Sequence, residues 1–97
     1  MGTYKLSTAA TKDIIGIYKF GIKTFGSNQA KSYVNSLERF IKELASRNEL
    51  ARDASIFARN LKYYRYKSHV IFYVFDASEE IFIIRILGKR MDFIQHL

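Results

Sequence analysis

Leu61-Lys62-Tyr63-Tyr64-Arg65-Tyr66-Lys67-Ser68-His69-Val70-Ile71-Phe72-Tyr73-Val74-Phe75, followed after a short polar gap by Glu80-Ile81-Phe82-Ile83-Ile84-Arg85-Ile86-Leu87, decides the fold. Leu61 to Tyr66 alternates loosely, while His69 to Phe75 and Glu80 to Leu87 are apolar almost throughout and rich in β-branched and aromatic residues. A strand that is apolar on both faces needs cover on both, or a place at the centre of a sheet. Lys67-Ser68 and Asp76-Ala77-Ser78-Glu79 are connections of hairpin length, so the three runs are predicted to form an antiparallel meander. Beyond Gly88 lies a short tail, in which Lys89 and Arg90 follow the sheet and Asp92 is placed to cap a short C-terminal helix over Phe93 to His96.

Upstream the period changes. Thr3 to Leu6 suits a short edge strand, with Ser7 or Thr8 as the N-cap of a helix on which Ala10, Ile14, Ile17, Tyr18, Ile22 and Phe25 recur as one buried stripe. Gly26 ends that helix, because glycine takes a left-handed C′ position without a Cβ penalty. Ser27 is expected to cap a second helix, whose Ala30, Tyr33, Val34, Leu37, Phe40, Ile41 and Leu44 repeat over four turns. Two helices separated by so little chain fold back as an antiparallel hairpin. Arg47 to Asn60 reads as a loop that pins Leu50, Ile56 and Phe57 onto the sheet. The fold class is therefore α+β: an N-terminal strand, an α-hairpin packed on a small antiparallel sheet in the order β-α-α-β-β-β, and a short terminal helix.

At 97 residues the chain is one domain, of a size that buries roughly 65% of its unfolded surface. Sixteen Lys and Arg against nine Asp and Glu give a net charge of +7, which favours an acidic partner. Cysteine is absent, which rules out a disulfide frame or a thiolate zinc site and suits a reducing cytosol. No run reaches the roughly 20 apolar residues of a membrane helix. A soluble cytoplasmic protein is expected.

Catalytic chemistry is poorly represented. The two histidines, His69 and His96, fall on different elements, and the carboxylates are scattered, so no metal site, no acid-base pair and no cofactor is predicted. Arg59, Lys62, Arg65 and Lys67, interleaved with Tyr63, Tyr64 and Tyr66, make a basic aromatic strip. Such a strip suits nucleic-acid phosphates, an acidic protein segment, or merely a solvated strand edge on which cations discourage aggregation. Arg85, inside an apolar strand, must find an acceptor, and an ion pair is predicted. Tyr73 reads as a core aromatic whose hydroxyl reaches the rim.

Leu6-Ser7 opening the first helix, Tyr18 in its middle, Phe25-Gly26 closing it, Ser68 to Tyr73 on the middle strand, Arg85-Ile86-Leu87, Arg90-Met91-Asp92 and His96-Leu97 together resemble the ParE branch of the ParE/RelE toxin superfamily. The resemblance implies a type II toxin-antitoxin toxin that binds bacterial DNA gyrase, poisons its cleavage step and is silenced by a ParD-like antitoxin in a hetero-oligomer. It implies no catalytic residue. The target-facing surface is then expected at Lys89, Arg90, Met91, Asp92 and His96, and the antitoxin surface along the helical hairpin and at Arg59, Lys62, Tyr64, Arg65, Tyr66 and Lys67. His69, Tyr73 and Arg85 are structural or functional residues of the sheet. Many ParE-like chains carry a histidine just after the last strand, where Gly88 stands here. That departure leaves room for a toxin that has lost its poison but kept its fold. The RelE branch, which cuts messenger RNA on the ribosome, is the enzymatic alternative. In it Leu61 and Tyr63 stand where lysines are needed and Val70 where an arginine is needed, while Arg90 keeps its type and His96 falls near the tyrosine position. A basic nucleic-acid-binding module is the further alternative.

Overall fold

In the computed structural model, which describes residues 3–76 and 80–88, the chain runs β1 (Thr3–Leu6), α1 (Thr8–Phe25), α2 (Ser27–Ser46), a single 3-10 turn (Asn48–Leu50), β2 (Arg52–Asp53), β3 (Lys62–Tyr66), β4 (His69–Phe75) and β5 (Glu80–Gly88). The strands form one sheet in the order β1-β5-β4-β3-β2. The predicted meander is its body: β4 pairs antiparallel with β3 and with β5. The sheet is not wholly antiparallel, however, because β1 lies parallel to β5, from Thr3 opposite Glu80 to Leu6 opposite Ile83. No turn joins these two strands, so nothing local sets their direction. The segment read as a loop also contributes: β2 pairs antiparallel with β3, but at two residues it is too short to leave a period in the sequence.

A register shift between Phe72 and Tyr73 puts one extra residue, Ile84, into β5. Such a bulge reverses which face the following side chains occupy. It explains why β5 is apolar almost throughout. Ile81, Ile83 and Ile86 join Ile71, Tyr73, Leu37, Ile41 and Leu44 in a core between sheet and helices, while Ile84 and Leu87 belong with Val70, Phe72, Leu61 and Ala54 on the other face. The double-sided cover expected of β4 and β5 is present.

The hairpin turns on Gly26, whose φ of 93° favours glycine. Its N–H donates to the Ile22 carbonyl at 3.0 Å and its own carbonyl accepts from the Ala30 N–H at 3.1 Å, so one residue ends α1 and starts α2. Ser27 is accordingly the first residue of α2, not its cap, and the cap position at Gly26 has no side chain to offer. The helices approach closely. A Cβ added at Gly21 would stand 2.9 Å from the Cβ of Ala30, whereas one added at Gly16 would meet nothing within 4 Å. Gly16→Ala is expected to stabilise by about 1 kcal/mol through helix propensity, and Gly21→Ala to destabilise by about 1–2 kcal/mol as the helices are forced apart. Urea unfolding of the two variants tests this; an equal gain at both positions would mean that the hairpin is not held at that distance.

Candidate functional site

Four surfaces meet around the sheet, and the first is held by the opening of α1. β1 covers β5 only as far as Ile83, so the backbone of β5 beyond it needs other partners. Ser7 and Asp13 supply them. The Ser7 N–H donates to the Ile83 carbonyl at 2.9 Å and its Oγ–H to the Ile84 carbonyl at 2.7 Å, while the same Oγ accepts from the Ala10 N–H as the cap of α1. Asp13 Oδ2 accepts from the Ile86 N–H at 2.9 Å. The Arg85 guanidinium grips the same carboxylate through Nε at 2.8 Å and Nη2 at 2.9 Å, and those bonds hold its pKa above the ordinary value. The ion pair predicted for Arg85 is present. The bonds described here tie β5 to α1.

The second surface is a polar and aromatic cluster where α2 meets the β3–β4 hairpin. Lys67 adopts a φ of 53° in the two-residue turn, which turns its ammonium over the rings of Tyr33 and Tyr66 at 5.6 and 5.3 Å. The Tyr33 hydroxyl lies 2.7 Å from His69 Nδ1, while the Tyr66 and Ser36 hydroxyls bond at 2.5 Å. Burial lowers the pKa of His69, partly opposed by the Asp13 carboxylate. With the ring neutral and its proton on Nε2, Tyr33 donates to Nδ1 and ties α2 to β4. An imidazole whose folded pKa lies below its unfolded value of 6.5 contributes stability above that pH and loses it as the pH falls. The melting temperature is therefore expected to decline as pH drops below about 6.5, before most carboxylates titrate, and His69→Gln should flatten that limb. An unchanged limb in the variant would place the titration elsewhere.

The basic strip divides between faces. Tyr64 and Tyr66 turn toward the helices, with ring centroids 5.6 and 4.7 Å from Phe40, and Tyr63 turns to the opposite face near Phe72. These rings are packed and form no open stacking platform. Arg59, Arg65 and Lys67 are exposed and Lys62 half-buried, and Arg52 on β2 adds its guanidinium 5.8 Å from the Tyr64 ring. What remains is a cationic sheet edge. β2 pairs only with Lys62 and Tyr63, so the outer backbone of β3 from Tyr64 to Tyr66 has no strand beside it among the described residues.

The fourth surface was misread in the sequence. Ile22 and Phe25, expected within the buried stripe of α1, are 39% and 60% exposed, and Ile15 is 48% exposed. Ile14 and Ile17 are the last α1 side chains packed on the core. Ile15, Tyr18, Ile22 and Phe25, spaced by three, four and three residues, form a second apolar stripe beside the buried one, flanked by the exposed Lys12, Lys19 and Lys23. Periodicity identifies such a stripe without saying what covers it.

Two further expectations are corrected. Tyr73 is fully buried, and its hydroxyl stays inside without a hydrogen-bond partner among the described residues, because β4 is the central strand and both helices close over this face. Burial pushes its pKa up to about 12. Ile56 is 88% exposed and pins nothing, while Leu50 packs on the core and Phe57 meets Phe72 edge to face. Gly88 ends β5 directly opposite His69, so the imidazole at this end of the sheet stands on β4. Lys89, Arg90, Met91, Asp92 and His96, with the expected terminal helix, lie outside the described residues. Among the described residues no group of three His, Asp or Glu is placed to hold a metal ion, and no helix is long and apolar enough to cross a membrane.

The profile of the ParE toxin of the type II toxin-antitoxin system parDE matches residues 4–93. Toxin ParE of Escherichia coli is 30% identical over 97 residues, covering 100% of this chain and 94% of its own length. Among solved structures, a chain of the chromosomal ParDE TA system from P. aeruginosa superposes with a TM-score of 0.76 at 18% identity, over 91% of this chain and 96% of that one; at that identity the likeness speaks for the fold. A sheet edge completed by the first helix, a cationic rim and an uncovered α-hairpin are thus found in a chain that belongs to the ParE toxin family of type II toxin-antitoxin systems.

Proposed function

We propose that this chain inhibits DNA gyrase by binding it and stabilising the cleaved DNA complex, breaks no bond itself, and is silenced in the bacterial cytoplasm by a ParD-like antitoxin. The observation that carries the reading is the family match over residues 4–93, combined with the chemistry of the positions an RNA-cutting relative would need. Leu61 and Val70 are 2% and 3% exposed in the second core, and Tyr63 packs beside them. A phosphodiester transition state needs cationic donors around its developing charge, and these positions supply none. Lys89, Arg90, Met91, Asp92 and His96 are assigned to the gyrase contact on the resemblance alone.

The antitoxin is assigned to the α1 stripe and the β3 edge. An amphipathic acidic helix would bury Ile15, Tyr18, Ile22 and Phe25 and meet Lys12, Lys19 and Lys23, and an extended acidic continuation would run beside Tyr64 to Tyr66 toward Arg65 and Lys67. The decisive assay adds purified protein to gyrase. Supercoiling should fall and linear DNA accumulate; unaffected gyrase together with codon-dependent message cleavage on ribosomes would replace this reading with the RelE-like one.

A further inference from the structure

The outward face of α2 is neither core nor part of the surfaces above. Asn28, Lys31, Ser32, Asn35, Arg39 and Lys42 share one face of the helix, Lys31 and Ser32 being three and four residues beyond Asn28, and all are exposed. The first five line a shallow open groove of about 310 Å³. The ion pairs among the described residues are Lys5–Glu80, Arg47–Glu43, Arg47–Glu49 and Arg85–Asp13, so Lys31, Arg39 and Lys42 take part in none. Glu43, the acid nearest the far end of this row, is committed to Arg47 at 3.1 Å, and Glu38 borders the row without closing on a cation. Three unpaired cations therefore alternate with amides and a hydroxyl along a straight rod about 21 Å long.

We propose that this face of α2 binds the sugar-phosphate backbone of duplex DNA. Amide and hydroxyl side chains between cations are the groups that contact phosphate oxygens. Along one strand the rod passes about six phosphates. Other acidic partners fit less well. The face carries no apolar anchor of the kind a protein interface or a bilayer surface requires, and no aromatic ring on which single-stranded bases could stack. The surface goes beyond the gyrase assignment and is independent of it: a chain that leaves gyrase untouched can still hold DNA here, and one that inhibits gyrase need not.

The test uses the full-length free protein and a fluorescently labelled duplex oligonucleotide, read by anisotropy. Three phosphate contacts give a slope of log K against log salt of about −3, which weakens binding about 40-fold between about 50 and 200 mM salt. The triple variant Lys31→Gln, Arg39→Gln, Lys42→Gln keeps good helix formers at exposed positions, so its melting curve should overlay the parent's. Its binding at the lower salt is expected to fall at least about tenfold and its slope to flatten by about 3, while Arg65→Gln with Lys67→Gln on the sheet edge leaves both nearly unchanged. Parent-like binding by the triple variant, or loss confined to the sheet-edge variant, overturns the proposal. So does equal or tighter binding to the single strand or to anionic lipid vesicles.

Discussion

Asp13→Ala is expected to lower the melting temperature by about 15 °C. The carboxylate accepts two hydrogen bonds from Arg85 and one from the Ile86 N–H. Side-chain exposures of 21% for Arg85 and 14% for Asp13 place the pair in a poorly hydrated position, where removing one partner costs about 3 kcal/mol. In a domain of this size each kcal/mol moves the midpoint by about 4–8 °C. Asp13→Asn keeps an acceptor for the backbone N–H and should recover part of the loss, which a calorimetric comparison of the two variants reads directly. If both variants melted with the parent, the tie between α1 and β5 would contribute nothing to stability.

Ile22→Ala with Phe25→Ala is expected to free the toxin from its antitoxin while leaving the fold untouched. Neither side chain belongs to the core, and alanine is the better helix former at both positions. Each side chain, if covered by a partner, adds about 1.5–3 kcal/mol of apolar burial. Losing both therefore weakens the complex by at least about 100-fold, and co-expressed antitoxin should no longer rescue growth. Lys19→Gln with Lys23→Gln should act differently, slowing association in a salt-dependent way with a small change in dissociation. Titration calorimetry against the cognate antitoxin separates the cases. Full affinity in the double alanine variant would move the antitoxin off this helix.

The legible parts of the fold were those written in local spacing. The α2 stripe is buried through Ala30, Leu37, Ile41 and Leu44, the β3-β4-β5 meander forms with the turn read at Lys67-Ser68, and Gly26 has the positive φ expected of it. What escaped depends on distant chain. A buried arginine announces that it needs an acid, but its partner lies 72 residues away. The direction of β1 is set by no turn, and the depth of Tyr73 depends on which strand is central. Ile22 and Phe25 carry the same periodic signal as Ile14 and Ile17; only the extent of the core beneath them differs. In the candidate site, the split of Tyr63, Tyr64 and Tyr66 between faces follows from strand alternation, yet their packing against Phe40 and Phe72 required the helix and the neighbouring strand to be in place.

The pairing of the first strand with the last has a consequence for synthesis. While the ribosome is still making β4, Thr3 to Leu6 have no strand to join, and Ser7 and Asp13 wait for the carbonyl and amide groups that only Ile83, Ile84 and Ile86 provide. The nascent hairpin holds its apolar core face open until the ninth decade of the chain emerges, and contacts this remote in sequence form slowly. A message truncated before the Glu80 codon should thus yield a polypeptide that proteases clear, so that folded protein is released only from transcripts that carry the β5 codons.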